Sequence, residues 1–471
     1  MDSRSLEPPG TVQIEEWSTI VLQPPPSDDP DDPLNWSKSR KTVNFTLVLL
    51  FTLFTFSLVD IGTVAWGPMN EELGISFENM NNSFAANLAG LGVCCIFAVP
   101  LAQKYGRRPV YLVSLLVQIA GSIWQAKVMS AWELIVSNVV TGIAGAVSEV
   151  MVQMTVNDLF FVHQRGRANG IYLVMVSMGA YVALVPAGFI TISQGWRWIW
   201  WWCVILICST FVLFAFFYEE SKYAVAFVGQ GMPKESAENT NKSKSPLPED
   251  VYQTVRQKKS YKQRLALATT TDTPILQHIV QPFHLLFTFP AVSYTSIIYG
   301  SLLCWFSVLA TTQSTYLLES PYNFSAAGVG LFNLATFIGT VLGSIVGGPI
   351  SDWWIGLPWI VVAVGAAVFG FAFTLLADVS LSYLMDCYQD MVGDAFVAVT
   401  FIRNGLSMIF VFCLSPWIAA TGLENMFIAV ACIALAINSI TIPMIIWGKK
   451  ARRATAARYR ILAQSRRHQF R

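Results

Sequence analysis

Charged side chains are scarce in this chain: Asp, Glu, Lys and Arg supply 13% of its 471 residues, about half the share of an ordinary soluble domain. A water-exposed globule of this size is thereby excluded. Histidine occurs only at 163, 278, 284 and 468, with no metal-ligand spacing. No nucleophile elbow or phosphate-binding loop is present, so neither enzyme chemistry nor a metal or other cofactor is indicated. The eight cysteines lie in or beside apolar runs, without the spacing of a zinc site or a disulfide-stapled domain. They read as buried free thiols. Residues 1–40 are polar and rich in Pro and Asp, and lack the short apolar core of a cleavable signal. A disordered cytoplasmic tail is expected there, with the first span acting as the insertion signal.

What the chain does have is apolar length. Hydrophobic residues make up 54%, in segments 43–66, 84–103, 109–128, 132–153, 168–190, 197–217, 288–316, 326–350, 357–379, 394–418 and 424–447. Each can cross a hydrocarbon core of about 30 Å at about 1.5 Å per residue. The expected fold class is therefore an all-α membrane protein. Its parts are a tail (1–42), a six-helix bundle (43–217), a central loop (218–287), a second bundle of five spans (288–447) and a basic tail (448–471). The lipid bilayer is its first partner, the basic tail is read as a lipid-facing anchor rather than a nucleic-acid patch, and a monomer is expected.

Lysine and arginine fix the expected orientation. Counting Arg403 as the end of a cytoplasmic loop, 28 of 30 fall in the tails, the central loop and the short loops at 103–109 and 154–168. Only Lys127 and Arg197 fall outside. Both termini are thus expected in the cytoplasm, and the sequons at Asn81 and Asn323 in external loops open to glycosylation. GWRWIWWW (195–202) suits an external aromatic belt.

Eleven crossings contradict two cytoplasmic tails. Splitting 379–423 into two spans would restore parity, but places Asp386, Asp390 and Asp394 inside the membrane at about 2.5–3.5 kcal/mol each. Those three, at four-residue steps on one helix face, are read instead as a hydrated collar at the cytoplasmic end near Arg403, with a cation path as the other reading. The preferred explanation is a missing span near residue 354. No lysine or arginine occurs between Arg264 and Arg403, although a cytoplasmic loop is due in that interval.

PLAQKYGRRPVYL (100–112) resembles the signature loop of the major facilitator superfamily, with Lys104, Gly106, Arg107 and Arg108 at the matching positions. Gln103 stands where that loop has an acid, and Val99 where it has its first glycine. DDPLNWSKSRK (31–41), NDLFFVHQRGRANGIY (157–172) and PYNFSAAGVGL (321–331) resemble segments of the fungal twelve-span drug:proton antiporter branch. The resemblance implies two bundles of six spans around a midplane site. In GGPISDWWIGLPWIV (347–361) Gly348 and Asp352 match the first half of a second signature loop. The basic half and span nine are then absent, so 6 + 5 spans stand where 6 + 6 are expected. An intron drawn too long comes ahead of a true deletion as the cause.

The resemblance implies secondary transport of a small organic compound (a drug, toxin or secondary metabolite), with protons as the coupling partner and export as the direction. Uptake of a cationic solute such as a polyamine or amino alcohol, and a non-transporting remnant or sensor, are the alternatives. A plasma-membrane location is expected.

Ionisable residues inside a membrane are the default functional candidates. Asp60 reads as a proton or cation site facing the cavity, or as an outer-end residue paired locally. Glu149 shares a small and polar helix face with Asn138, Thr141, Gly142, Gly145 and Ser148. That face lines a cavity, with Glu149 alternately protonated, or else packs helices. Asn138 stands where the family carries an arginine. In span five Ala183-Leu184 replace the branch's Gly-Pro pair, leaving Pro186 and Gly188 to bend the helix. Lys104, Gly106, Arg107 and Arg108 are expected to form a conformational latch with Asp158 and Asp352, or simply to hold their loop inside.

Overall fold

The computed structural model describes residues 15–16, 19–20, 32–222, 264–265, 275–318, 323–346, 381, 384, 387–388 and 391–469. Apart from a two-residue antiparallel pairing of Glu15–Glu16 with Thr19–Ile20, the regular structure is helical. The first bundle comprises α1 (Lys38–Asp60), α2 (Phe77–Tyr105), α3 (Arg107–Ala126), α4 (Ala131–Leu159), α5 (Val162–Ser177, continuing to Ser193) and α6 (Arg197–Phe217). The second holds α7 (Pro290–Tyr316), α8 (Ala326–Val346), α9 (Val392–Thr421) and α10 (Leu423–Ser439), and a basic helix, α11 (Thr441–Gln469), follows. Nine helices among the described residues are long and apolar enough to cross a membrane. The 357–379 segment lies outside the described residues.

The polar residues between spans set the helix starts. Ser37, Ser76 and Ser130 each accept a hydrogen bond from the backbone N–H three residues on, satisfying donors that the first turn leaves unpaired. Glu133 returns a bond to the Met129 N–H at 2.9 Å. The expected disordered tail ends sooner than residue 42. A 3₁₀ turn at Pro33–Asn35 and the buried Trp36, with the Arg40 guanidinium 3.7 Å from its ring centroid, already pack on the bundle. Likewise the expected central loop contributes a helix at Ile275–Thr288.

Helices approach most closely where glycine removes a side chain. A Cβ at Gly142 of α4 would lie 2.2 Å from the Asn87 carbonyl oxygen of α2, and one at Gly90 2.6 Å from that of Val139. Between the bundles, Gly188 of α5 meets the Ala326 carbonyl, and Gly330 of α8 meets that of Leu184. The small face on α4 is therefore mostly a packing face, as expected of small residues between membrane helices. Gly188 is a close-contact position. The helical ladder of span five changes earlier, to a π turn at Met178–Val182. Pro186 follows that turn and has no N–H to offer the carbonyl four residues back. Two cysteines also depart from expectation, because Cys413 and Cys432 are exposed on the helix surface.

The described ends sort onto two faces. Arg107, Glu219 and Arg40 lie together, and Asp394 at the start of α9 reaches Gln103 at the end of α2. Cys387 accepts a bond from Arg452 at 3.4 Å, and the Tyr388 ring packs between Phe289 and Tyr459. The start of α1 and the C-terminal helix α11 thus share one face. At the other lie Asn81, Ala326 and Thr421. Because α8 starts there and its 21 residues span about 31 Å, Val346 ends on the Arg107 face, where Cys387 also lies. A chain that leaves a face and returns to it crosses an even number of times, yet this interval holds one apolar run. We propose that a span is missing from it. Sequencing the transcript across codons 353–357 is expected to add a basic loop and one apolar segment of about 20 residues; a contiguous junction would refute this.

Candidate functional site

Six helices line a cavity of about 50 Å³ between the bundles, with Phe56 and Asp60 from α1, Phe84 from α2, Glu149 from α4, Tyr181 from α5, Tyr299 and Phe306 from α7, and Arg403 from α9 among its lining. That is room for a few waters or a small ligand head group. Helices α2 and α9 close it along their length. Asn81 Nδ2 donates to the Val411 carbonyl at 2.8 Å at one end, Gly92 packs on Asn404 midway, and Gln103 Nε2 lies 3.5 Å from Asp394 Oδ1 at the other.

The two carboxylates in the wall differ sharply. Glu149 is buried and fully engaged: Arg403 Nη2 donates to its Oε1, and Asn404 Nδ2 donates to its Oε2 at 2.6 Å. The Arg403 guanidinium is itself buried and sits 4.7 Å from the Tyr299 ring centroid. Asp60 is 3% exposed, and its Oδ1 accepts no hydrogen bond among the described residues. A buried carboxylate oxygen without a partner is costly when the group is ionised.

Several expected roles change here. Arg403 is not a loop anchor but an intramembrane residue bonded across the bundles. Its position alone in a long apolar run was the signal that could have revealed it. Glu149 does line the cavity, but as the partner of an arginine rather than as a free proton carrier. Asn138 is not in this cavity. It hydrogen-bonds with Asn87 and Gln125 inside the first bundle and lines a second cavity of about 20 Å³. Asp394 is fully buried, not part of a hydrated collar; Asp386 and Asp390 lie outside the described residues. Asn81 is buried in α2 with its amide nitrogen engaged, which leaves no free amide for a glycan. Asn323 is exposed, in a turn with φ of 46°.

At the Arg107 face, Gly106 turns the chain between α2 and α3 with φ of 105°, a conformation that side chains resist. Arg107 Nε lies 3.2 Å from Asp158 Oδ2. Glu220, missed in the sequence, accepts the Arg107 and Arg108 backbone N–H groups at 2.8 and 3.0 Å, completing the open end of α3. Arg108 donates to the Ala215 and Leu265 carbonyls. Lys104 presents its backbone carbonyl to Lys222 Nζ at 3.0 Å, while its own amine lies 5.6 Å from the Tyr105 ring centroid. Burial, with Arg107 nearby, lowers Lys222 to about 8, against the opposing pull of Glu220. Asp352 lies outside the described residues.

A turn built on Gly106, an arginine held by an acid from the neighbouring helix, and a cavity between two bundles are matched by the sequence comparison: the model of the Major Facilitator Superfamily fits residues 45–422. The chain belongs to the Major Facilitator Superfamily. This facilitator is 33% identical over 518 residues to an MFS-type transporter of Schizosaccharomyces pombe, covering 93% of this chain and 89% of that one. It is 28% identical over 530 residues to Protein HOL1 of Saccharomyces cerevisiae, covering 92% and 90%. Among solved structures, the human organic anion transporter MFSD10 (TETRAN) shares the fold, with a TM-score of 0.54 at 16% identity over 85% of this chain and 99% of that one. The facilitator is therefore a multi-pass membrane transporter.

Proposed function

We propose that this facilitator is a proton-coupled exporter of a small organic cation, with Asp60 binding proton and substrate in turn. The observation that carries this is the buried Asp60 Oδ1, without a hydrogen-bond partner among the described residues, in an aromatic-walled cavity between the bundles. Tyr181 and Phe306 meet edge to face with centroids 5.6 Å apart, and aromatic faces attract an ammonium group. One carboxylate cannot neutralise two cations at once, so proton and substrate exchange rather than travel together. Exchange against an inward proton gradient drives export. Uptake coupled to protons would need a second free carboxylate in the wall, and among the described lining residues the other acid, Glu149, is occupied by Arg403.

In this scheme the Arg107 face is cytoplasmic, in keeping with the lysine and arginine distribution. The Arg107–Asp158 pair and the Glu220 contacts then form the latch that holds that side shut. The plasma membrane supplies the gradient, and Asn323 faces outward. The non-transporting alternative is separated by flux. Choline is a suitable probe because it cannot lose a proton and be trapped as a weak base. In reconstituted vesicles with an acidic interior, choline is expected to accumulate and the accumulation to collapse on adding a protonophore. Absence of any driven flux would favour the remnant or sensor reading.

A further inference from the structure

The ionisable groups in the cavity wall do not balance. Asp60 and Glu149 are acids, Arg403 is the one base among the described lining residues, and Arg403 is spent on Glu149. Resting on the function proposed above, we infer that Arg403 sets the valence of the transported ion: by neutralising Glu149 it leaves one negative charge in the cavity, which selects a monovalent organic cation over a divalent one.

The geometry makes the Glu149–Arg403 pair a closed neutral unit. Both Glu149 oxygens are engaged, one by Arg403 and one by Asn404, and the guanidinium is 5% exposed against the Tyr299 ring. Among the described lining residues, a substrate entering the cavity therefore meets one carboxylate with an unsatisfied oxygen, that of Asp60. A buried charge needs a counter-charge to be tolerated. A monocation meets that condition at Asp60. A dication would find no acid for its second charge among the described lining residues, because Glu149 is already neutralised by Arg403. Replacing Arg403 by a neutral residue frees Glu149 and raises the cavity charge to two, which reverses the preference.

Butylamine and 1,4-diaminobutane share a carbon chain and differ by one charge, so the ratio of their affinities reads valence directly. Calorimetry on the full chain, purified in detergent, is expected to show wild type favouring butylamine. Arg403→Gln is expected to move the ratio toward the diamine by about tenfold or more, and Glu149→Gln with Arg403→Gln to return it to the wild-type value. A purely structural role for Arg403 would weaken both amines alike, and an unchanged ratio in folded Arg403→Gln overturns the inference. Should that variant fail to fold, Ser177→Asp decides. Ser177 lines the cavity, so this change adds a second acid without touching the pair, and the ratio must move the same way; no movement again overturns the inference. Wild type that binds neither amine, or Asp60→Asn that binds both as wild type does, would instead refute the assignment of a cation to Asp60.

Discussion

Asp60→Asn is expected to cut protonophore-sensitive choline accumulation in vesicles by at least about thirtyfold while leaving the protein as stable as wild type or more so. The first part follows from removing the counter-charge of a desolvated cation, which costs about 2–5 kcal/mol at buried charge pairs. The second follows from the free protein: Asp60 makes no compensating side-chain contact at Oδ1, so the substitution removes a desolvation cost and breaks no described bond. The combination is diagnostic. A residue holding the helices together would lose flux and thermal stability in parallel. Accumulation within threefold of wild type would remove Asp60 from the transport cycle.

Glu149→Gln is expected to behave in the opposite way, with a stability loss of about 3–5 kcal/mol from the uncompensated charge left on Arg403. The pair joins α4 to α9 across the bundles, so the loss falls on their association as well as on folding. It should appear as a lower melting temperature in detergent. Adding Arg403→Gln restores an uncharged, hydrogen-bonding pair and is expected to recover most of the loss, giving a large coupling energy in the double-mutant cycle. Two independent, additive losses would show that the ion pair contributes little.

The membrane fold was legible because lipid imposes length and apolar composition on every span, a constraint read residue by residue. The Arg107 turn was legible for a similar reason, since Gly106 and the basic pair are local in sequence and Asp158 lies within reach of them. Asp60 and Glu149 stood out as acids in apolar runs. Their different fates did not. Whether an intramembrane acid meets a partner depends on which face of a distant helix turns toward it, and Arg403 lies 254 residues from Glu149. The positive-charge rule treats every arginine as a loop marker and so does not distinguish Arg403. A lone arginine followed by an apolar run to residue 448 is better read as buried and paired. Asn81 and Asn138 show the same limit. Their amides are claimed by Val411 and by Leu134, and only the packed bundle reveals the first of these.

Helix register explains the remaining differences. The polar face from Asn138 to Glu149 is continuous in sequence. Because α4 crosses α2 at Gly142, Thr141 and Gly142 pack inside the bundle and Glu149, further along, reaches the cavity. The parity of the crossings, by contrast, needs no side-chain geometry, and the shared face of Val346 and Cys387 motivates the proposal of a missing span made above.

In the proposed cycle one carboxylate, Asp60, serves proton and organic cation alternately. Proton release on choline binding tests it most directly. In weakly buffered detergent solution near neutral pH, saturating the purified protein with choline is predicted to release about one proton per site in wild type and none in Asp60→Asn. Choline binding without proton release, or equal release from the Asp60→Asn variant, would contradict it.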